Sequence, residues 1–135
     1  MLTDTERTME KPVVLVVEDE ALIRISAAHL VEDAGFAALE ASNADEATDI
    51  LESRQDIVAV FTDIEMAGSM DGLGLAHAVR RRWPPIHLLM TSARALPKDC
   101  KLPENGRFIP KPYLPGQVTA ALCAFFDSVV TLQTI

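Results

Sequence analysis

The sequence predicts an α/β protein in which a parallel sheet carries helices on both faces. Two short apolar runs, residues 13–17 and 57–61, lack polar alternation and are rich in valine and isoleucine, which is typical of strands buried on both faces. Segments with apolar residues at helical spacing lie between such runs. Because each helix returns the chain to the same edge of the sheet, regular alternation of strand and helix predicts parallel strands.

The same patterns set the order of the elements. Gly35 and the Pro84-Pro85 pair stop two of the helices, Ser42 or Asn43 caps one, Asp71 caps another, and Pro115 opens the last. Strands are predicted at residues 13–17, 37–41, 57–61, 86–90 and 107–109. Helices are predicted at residues 21–34, 43–53, 72–82 and from residue 115 onward.

The connection between the last two strands departs from this pattern. Residues 93–106 should hold a fourth crossover helix, but Pro97 and Pro103 interrupt the segment and few of its residues are apolar. We therefore expect a short or distorted helix there, of about one turn near residues 97–101.

Length and composition limit the possible functions. The chain has 135 residues, 49% of them apolar and 24% charged, which fits one globular domain. We expect this domain at residues 12–131, with a flexible N-terminal tail at 1–11 and a C-terminal tail at 132–135. Twelve Lys and Arg against 20 Asp and Glu give a net charge of −8, which argues against a binder of nucleic-acid phosphates.

The apolar runs, the N-terminus and the cysteines indicate the cellular compartment of the protein. No apolar run is long enough to span a membrane, and the polar N-terminus lacks the core of a secretion signal. Cys100 and Cys123 have no metal-binding spacing, so we expect reduced thiols. These observations predict a cytoplasmic protein with no membrane partner and no nucleic-acid partner.

Polar residues follow several of the predicted strands, at the edge where ligands bind in open α/β sheets. Glu18, Asp19 and Glu20 follow the first strand, and Asp63 follows the third. Carboxylates brought together in this way repel each other unless a cation neutralises them. Mg²⁺ prefers oxygen ligands and takes few carboxylates, so we expect Mg²⁺ here. The expected ligands are Asp19 and Asp63 directly, Glu18 through water, and the main-chain carbonyl of Glu65.

The same edge predicts phosphoryl chemistry at Asp63. A carboxylate can act as a nucleophile and form an aspartyl phosphate, and positive charge must then stabilise the transferred group. Lys111 follows the fifth strand and offers an ammonium group, while Thr91 follows the fourth and offers a hydroxyl. A structural Asp63–Lys111 ion pair, or a solvated acidic loop, would explain each residue separately but not the whole set.

The ordered motifs resemble those of the receiver domain of two-component response regulators. The matching pieces are Val-Val-Glu18-Asp19-Glu20, Phe-Thr-Asp63-Ile-Glu-Met66, Asp71-Gly72, Met-Thr91-Ser92-Ala93 and Lys111-Pro112. The resemblance covers residues 13–130 and implies a flavodoxin-like, doubly wound, five-stranded sheet of order 2-1-3-4-5. It also implies phosphoryl transfer from a histidine kinase or a histidine phosphotransfer protein to Asp63.

The resemblance further implies a switch pair, Thr91 and Phe108, which responds to phosphorylation and changes the binding of a downstream protein. Phe108 lacks the hydroxyl of the tyrosine common at that position. No output domain follows residue 135 in this sequence, so we expect a stand-alone receiver that catalyses only its own phosphorylation and dephosphorylation and is not otherwise an enzyme.

Three other functions remain as alternatives. The protein could be a phosphate sink without downstream output. It could be a phosphatase with Asp63 as nucleophile and Glu65 as acid. A flavin binder is a third alternative, although Glu18, Asp19 and Glu20 would repel the flavin phosphate.

Several surface residues suggest partners. Leu22 and Ile25 lie off the inward stripe of the first helix, and we expect them to contact the phosphodonor. Phe126 and Val130 lie beside the core stripe of the last helix, which suggests a possible homodimer. His29, His77 and His87 lie outside the predicted site and are assigned no catalytic role.

Overall fold

The computed structural model describes residues 11–96 and 100–134, with side chains described as far as Phe126. Its strands are β1 (Val13–Val17), β2 (Ala37–Ala41), β3 (Ile57–Asp63), β4 (His87–Ser92) and β5 (Arg107–Pro110). Its helices are α1 (Ala21–Asp33), α2 (Ala44–Ser53), α3 (Gly72–Arg82) and α4 (Pro115–Thr134). The five predicted strands and the four predicted helices outside residues 93–106 are confirmed, and β3 and β4 extend far enough to include Asp63 and Ser92.

The five strands form one parallel sheet of order β2-β1-β3-β4-β5. Since β1 lies between β2 and β3, the chain crosses to one side of β1 and then returns to the other. This is the doubly wound, flavodoxin-like arrangement, and the predicted fold class is confirmed. It brings the carboxyl ends of β1 and β3 side by side near the centre of the sheet.

The sheet separates two apolar cores. Side chains from β1, β3 and β4 alternate between them, because successive residues of a strand point to opposite faces. One core packs under α2 and α3 and includes Leu15, Val60, Leu88, Met90, Leu51 and Leu75. The other packs under α1 and α4 and includes Val16, Phe61, Leu89, Val31, Leu122 and Phe125.

Side chains predicted as caps begin two of the helices. Asn43 accepts a hydrogen bond from the backbone N–H of Glu46 at 2.8 Å, and so caps α2. Asp71 accepts one from Gly74 at 2.8 Å and caps α3. Each bond satisfies one of the backbone donors left free at a helix start.

The connection between β4 and β5 has no helix in its described residues, 93–96 and 100–106. The turn expected near residues 97–101 falls mostly outside the described residues. Side chains of α3 hold this connection instead: His77 Nε2 lies 2.8 Å from the carbonyl oxygen of Lys101, and Arg80 donates to that of Glu104 at 2.9 Å.

The ends of the chain bear on other expectations. Residues 1–10 of the expected N-terminal tail lie outside the described residues, and α4 continues through Thr134 into the expected C-terminal tail. Phe126 packs against Phe36, with ring centroids 5.3 Å apart, and the side chain of Val130 is not described. The homodimer through these residues stays a prediction. Cys100 and Cys123 are both free thiols, and none of the described helices is long and apolar enough to cross a membrane.

Gly72, at the start of α3, allows the chain to approach the end of β3. Its N–H donates to the carbonyl oxygen of Ile64 at 2.9 Å. A Cβ atom added to Gly72 would lie 1.7 Å from the carbonyl oxygen of Asp63. Since that oxygen belongs to the backbone, the clash could be relieved only by moving α3 or the end of β3.

We predict that Gly72→Ala lowers the free energy of unfolding by about 3 kcal/mol, within the range of severe local clashes. Gly116→Ala is the matched control, because a Cβ there meets no atom within 4 Å. The control should change stability by less than about 1 kcal/mol. Urea denaturation of both variants measures the difference, and equal stability would contradict the close approach.

Candidate functional site

Lys111 joins two buried carboxylates at the carboxyl edge of the sheet. It follows β5, and its Nζ lies 2.7 Å from Asp63 Oδ2 at the end of β3 and 3.1 Å from Glu18 Oε1 after β1. The side chains of Asp63 and Glu18 are only 8% and 5% exposed. Burial alone would lower the pKa of Lys111, but the hydrogen bonds to Asp63 and Glu18 outweigh it and raise the pKa. Lys111 therefore stays cationic between them.

The Asp63 carboxylate is held at both oxygens. Oδ2 accepts from Lys111, and Oδ1 accepts from the backbone N–H of Glu65 at 3.0 Å. The backbone of Ile64 is fixed in turn, because its N–H donates to the carbonyl oxygen of Thr91 at 2.8 Å. The carboxylate therefore has a defined orientation, as a positioned nucleophile requires.

Glu18 and Asp19 form the acidic side of the site. Glu18 is buried and accepts from the backbone N–H of Glu20 at 2.9 Å, whereas Asp19 is exposed and accepts from Ala67 at 3.3 Å. Burial raises the pKa of Glu18 to about 7, and a hydrogen bond with Glu18 lowers the pKa of Asp19. Near neutral pH the pair therefore holds less negative charge than two free carboxylates, which limits their repulsion.

Thr91 has a hydroxyl group without a partner. Among the described side chains, its Oγ1 is the buried polar atom that makes no hydrogen bond. Thr91 lines a small cavity of about 10 Å³ together with Glu18 and Asp63. A buried hydroxyl that lacks a partner is costly, so this atom is poised to bond a group that enters the cavity.

The Glu65 side chain turns away from the acidic cluster. Its carboxylate accepts from the Ser92 hydroxyl and from the backbone N–H of Arg94, and it pairs with the Arg94 guanidinium at 3.2 Å. The hydrogen bond from Ser92 lowers the pKa of Glu65. These contacts tie the segment after β3 to the segment after β4.

The structure brings most of the predicted site residues together. Asp63, Lys111 and Glu18 are in direct contact, and Thr91 is beside them in the cavity. Phe108 lies elsewhere: its half-buried ring packs against the core beneath α2 and α3. The assigned roles of all these residues stay predictions.

The predicted metal ligands bond to protein groups in this structure. In residues 11–96 and 100–134, no three acidic, His or Cys side chains form a group that could hold a metal ion. Lys111 donates to both Glu18 and Asp63, and Asp19 accepts from the backbone N–H of Ala67. The predicted ligand set of Glu18, Asp19, Asp63 and the Glu65 carbonyl stays a prediction.

Two residues of the site were missed from the sequence. Tyr113 is half-buried and lines the cavity, and its ring centroid lies 5.7 Å from that of Phe61. Arg24 donates to the backbone carbonyl of Glu18 at 2.9 Å and pairs with Glu40. The position of Tyr113, two residues after Lys111, was the available signal. No local pattern pointed to Arg24, because one partner is a backbone carbonyl and the other, Glu40, lies sixteen residues away.

The strand order and the lysine-bridged carboxylates at the carboxyl edge define a flavodoxin-like α/β protein with an acidic site. Residues 14–122 match the family model of the response regulator receiver domain. The chain belongs to this family, and it is a receiver domain of two-component signalling.

Known proteins of this family resemble the chain over different lengths. A putative NtrX-like response regulator of Rickettsia bellii is 38% identical over 80 residues, which cover 58% of this chain and 16% of that protein. The sensor kinase CckA of Brucella abortus is 31% identical over 107 residues, which cover 74% of this chain and 11% of that protein. The chain therefore spans less than a fifth of the length of these curated relatives.

A solved structure matches over nearly the whole domain. The response regulator receiver protein from Sinorhizobium medicae WSM419 has a TM-score of 0.80 and 25% sequence identity. The match covers 88% of this chain and 97% of that one. This chain therefore has the same fold as a receiver protein whose structure has been solved.

We predict that Lys111→Met lowers the free energy of unfolding by about 3 kcal/mol, because it leaves two buried carboxylates without their cation. Lys101→Met is the control; its side chain is exposed, and its removal should cost less than about 1 kcal/mol. Adding Glu18→Gln to Lys111→Met should recover part of the loss, since one unpaired charge disappears. Urea denaturation measures all three, and a Lys111→Met protein as stable as the control would contradict the bridge.

Proposed function

We propose that this protein accepts a phosphoryl group on Asp63, in a Mg²⁺-dependent reaction, from a histidine kinase or a histidine phosphotransfer protein. One observation carries the proposal. The buried Asp63 carboxylate is oriented by Lys111 and by the N–H of Glu65, beside the unpartnered hydroxyl of Thr91. The nucleophile therefore contacts a cation and lines one small cavity together with a hydroxyl donor.

The chemistry follows from these groups. An Asp63 oxygen attacks phosphorus, a new O–P bond forms, and the bond between phosphorus and the donor imidazole breaks. The imidazole leaves with the electron pair of that bond and takes a proton from solvent. Lys111 stabilises one phosphoryl oxygen by its charge, and the Thr91 hydroxyl donates to another.

The donor set also fits the metal. Carboxylate and carbonyl oxygens are the ligands that Mg²⁺ prefers. Glu18, Asp19, Asp63 and the Glu65 carbonyl would hold the ion, and it would supply positive charge to the phosphoryl oxygens. The Asp19 side chain would have to leave Ala67, to which it is bound through one hydrogen bond of 3.3 Å.

Switching would follow the movement of Thr91 toward the new phosphoryl group. The phosphoryl group favours the conformation in which the Thr91 hydroxyl reaches it, and so shifts an existing equilibrium between two conformations of the protein. In this proposal Phe108 responds to the same movement and alters the surface that a downstream protein reads. The protein catalyses only its own phosphorylation and dephosphorylation, and it acts in the cytoplasm with its kinase.

The phosphatase alternative is less well supported. A general acid must hold a proton near neutral pH, but the pKa of Glu65 is lowered. Its carboxylate is also engaged by Ser92 and Arg94. Glu65 is therefore poorly suited to protonate a leaving group.

We predict that acetyl phosphate with Mg²⁺ adds one phosphoryl group to the wild-type chain, measured by intact mass, and that chelation of Mg²⁺ prevents it. Asp63→Asn should abolish the addition, because the amide is not a nucleophile. Asp49→Asn removes the same charge from an exposed position of α2 and should label like wild type. Labelling of the Asp63→Asn chain at the wild-type rate would refute the proposal.

The exposed side chains of α1 offer a docking surface for the donor. Leu22 is 84% exposed and Ile25 is 45% exposed, and both follow closely after the acidic cluster. Exposed apolar side chains beside a reactive site favour contact with an apolar surface on the donor.

We predict that Ile25→Glu slows phosphoryl transfer from a protein donor by about tenfold, as loss of an interface contact of about 1.4 kcal/mol would do. The rate with acetyl phosphate should stay unchanged, because that donor needs no docking surface. Gln55→Glu adds the same charge at the opposite edge of the sheet and serves as control. The protein donor is identified by measuring phosphoryl transfer to this chain from each histidine kinase of the host organism. An unchanged protein-donor rate in Ile25→Glu would exclude docking there.

A further inference from the structure

Ala67 donates its backbone N–H to a side chain that is proposed to bind the metal. It belongs to the β3–α3 segment, residues 64–71, and its nitrogen lies 3.3 Å from Asp19 Oδ2. A hydrogen bond from an N–H to a carboxylate is charge-assisted, so this donor competes with a cation for the same oxygen. Residue 67 can act in this way because it is not proline, which has no backbone N–H.

The β3–α3 segment is attached to the rest of the domain on both sides of Ala67. Two residues before it, the Glu65 carboxylate accepts from the Ser92 hydroxyl at the end of β4. Two residues after it, Ser69 Oγ donates to Asp45 Oδ1 at 2.9 Å, in the first turn of α2. The position of the Ala67 N–H is therefore set by contacts with two other elements.

The contact of Ser69 with α2 is the attachment that lies outside the acceptor site. Asp45 belongs to a helix that is anchored in the core by Leu51, which is 1% exposed. Between Ala67 and Ser69 the chain turns at Gly68, whose φ of +119° is a conformation that glycine adopts readily. Without the Ser69 contact, holding the Ala67 N–H at Asp19 would cost more conformational entropy.

We propose that the β3–α3 segment is an intramolecular competitor of Mg²⁺: the Ala67 N–H occupies Asp19 in the metal-free protein, and the hydrogen bond between Ser69 and Asp45 holds it there. This proposal rests on the proposed function, in which Asp19 is a metal ligand. Only molecules in which Asp19 has left Ala67 bind the ion with full affinity, so the apparent affinity falls by the fraction released. Phosphorylation of Asp63 then requires a higher concentration of Mg²⁺.

A titration of MgCl₂ into the ¹⁵N-labelled full chain, followed by amide NMR, measures the affinity without any phosphoryl donor. We predict that Ser69→Ala binds Mg²⁺ about fivefold more tightly than wild type, as weakening one hydrogen bond of Asp19 would do. Ser69→Thr keeps the hydroxyl and should bind like wild type. Ser53→Ala is the matched control, because it removes an exposed hydroxyl that bonds the Ile50 carbonyl at 3.0 Å.

A second variant removes the competing donor itself. Ala67→Pro lacks the N–H and should tighten Mg²⁺ binding at least as much as Ser69→Ala. Both effects should vanish in an Asp19→Ala background, where the donor has no carboxylate to occupy. Equal tightening in that background would show a general loosening of the segment and overturn the proposal.

The Mg²⁺ dependence of labelling by acetyl phosphate gives an independent reading. In Ser69→Ala the Mg²⁺ concentration for half-maximal labelling should fall by the same factor of about five, since less competition remains. The rate at saturating Mg²⁺ should stay at the wild-type value, because Ser69 does not contact the reacting groups. A changed rate at saturation with an unchanged midpoint would contradict the proposal.

The outcomes separate this proposal from the proposed function. If acetyl phosphate adds no phosphoryl group to the wild-type chain at saturating Mg²⁺, the proposed function fails and the proposal fails with it. If the wild-type chain is labelled on Asp63 but Ser69→Ala or Ala67→Pro binds Mg²⁺ no more tightly than wild type, the competitor is refuted and the proposed function stands.

Discussion

The contact between Lys111 and two buried carboxylates is the interaction on which the site depends. Asp63 and Glu18 come from different strands, and each is nearly closed off from water. Without a cation they would repel each other and resist ionisation. Lys111, carried by a third strand, removes this conflict and links the ends of β1, β3 and β5. The bridge therefore serves the fold and the proposed chemistry at once, because the same ammonium group that stabilises the carboxylates can face a phosphoryl oxygen.

The two sides of the sheet contribute differently to this site. On the side of α1 and α4, Tyr113 lines both the cavity beside Thr91 and a separate groove that contains the exposed Ile25 of α1. On the side of α2 and α3, the described part of the β4–β5 connection lacks a helix and is held by His77 and Arg80. The hydrogen bond of Glu65 with Ser92 and its ion pair with Arg94 join the segment after β3 to the start of this connection.

The sequence predicted the elements and the central contacts well, and physical reasons explain what it missed. Apolar runs determined the strands, and strand order placed Asp63, Glu18 and Lys111 together because parallel strands share one carboxyl edge. Pro97 and Pro103 predicted a poor helix in the β4–β5 connection, and its described residues, 93–96 and 100–106, contain none. The place of Tyr113 beside the cavity depends on its packing against Phe61, and that of Arg24 on a contact with the backbone of Glu18; periodicity encodes neither contact. The turning of Glu65 toward Ser92 also depends on a loop conformation that no periodicity encodes.

The most direct test of the account is chemical identification of the acceptor. The wild-type chain is phosphorylated with acetyl phosphate and Mg²⁺, then reduced with borohydride, which converts an acyl phosphate of aspartate to homoserine. The account predicts homoserine at position 63 alone when the peptides are sequenced by mass spectrometry. Homoserine at position 19, or a phosphoryl group retained on a serine, threonine or histidine with position 63 unchanged, would contradict it.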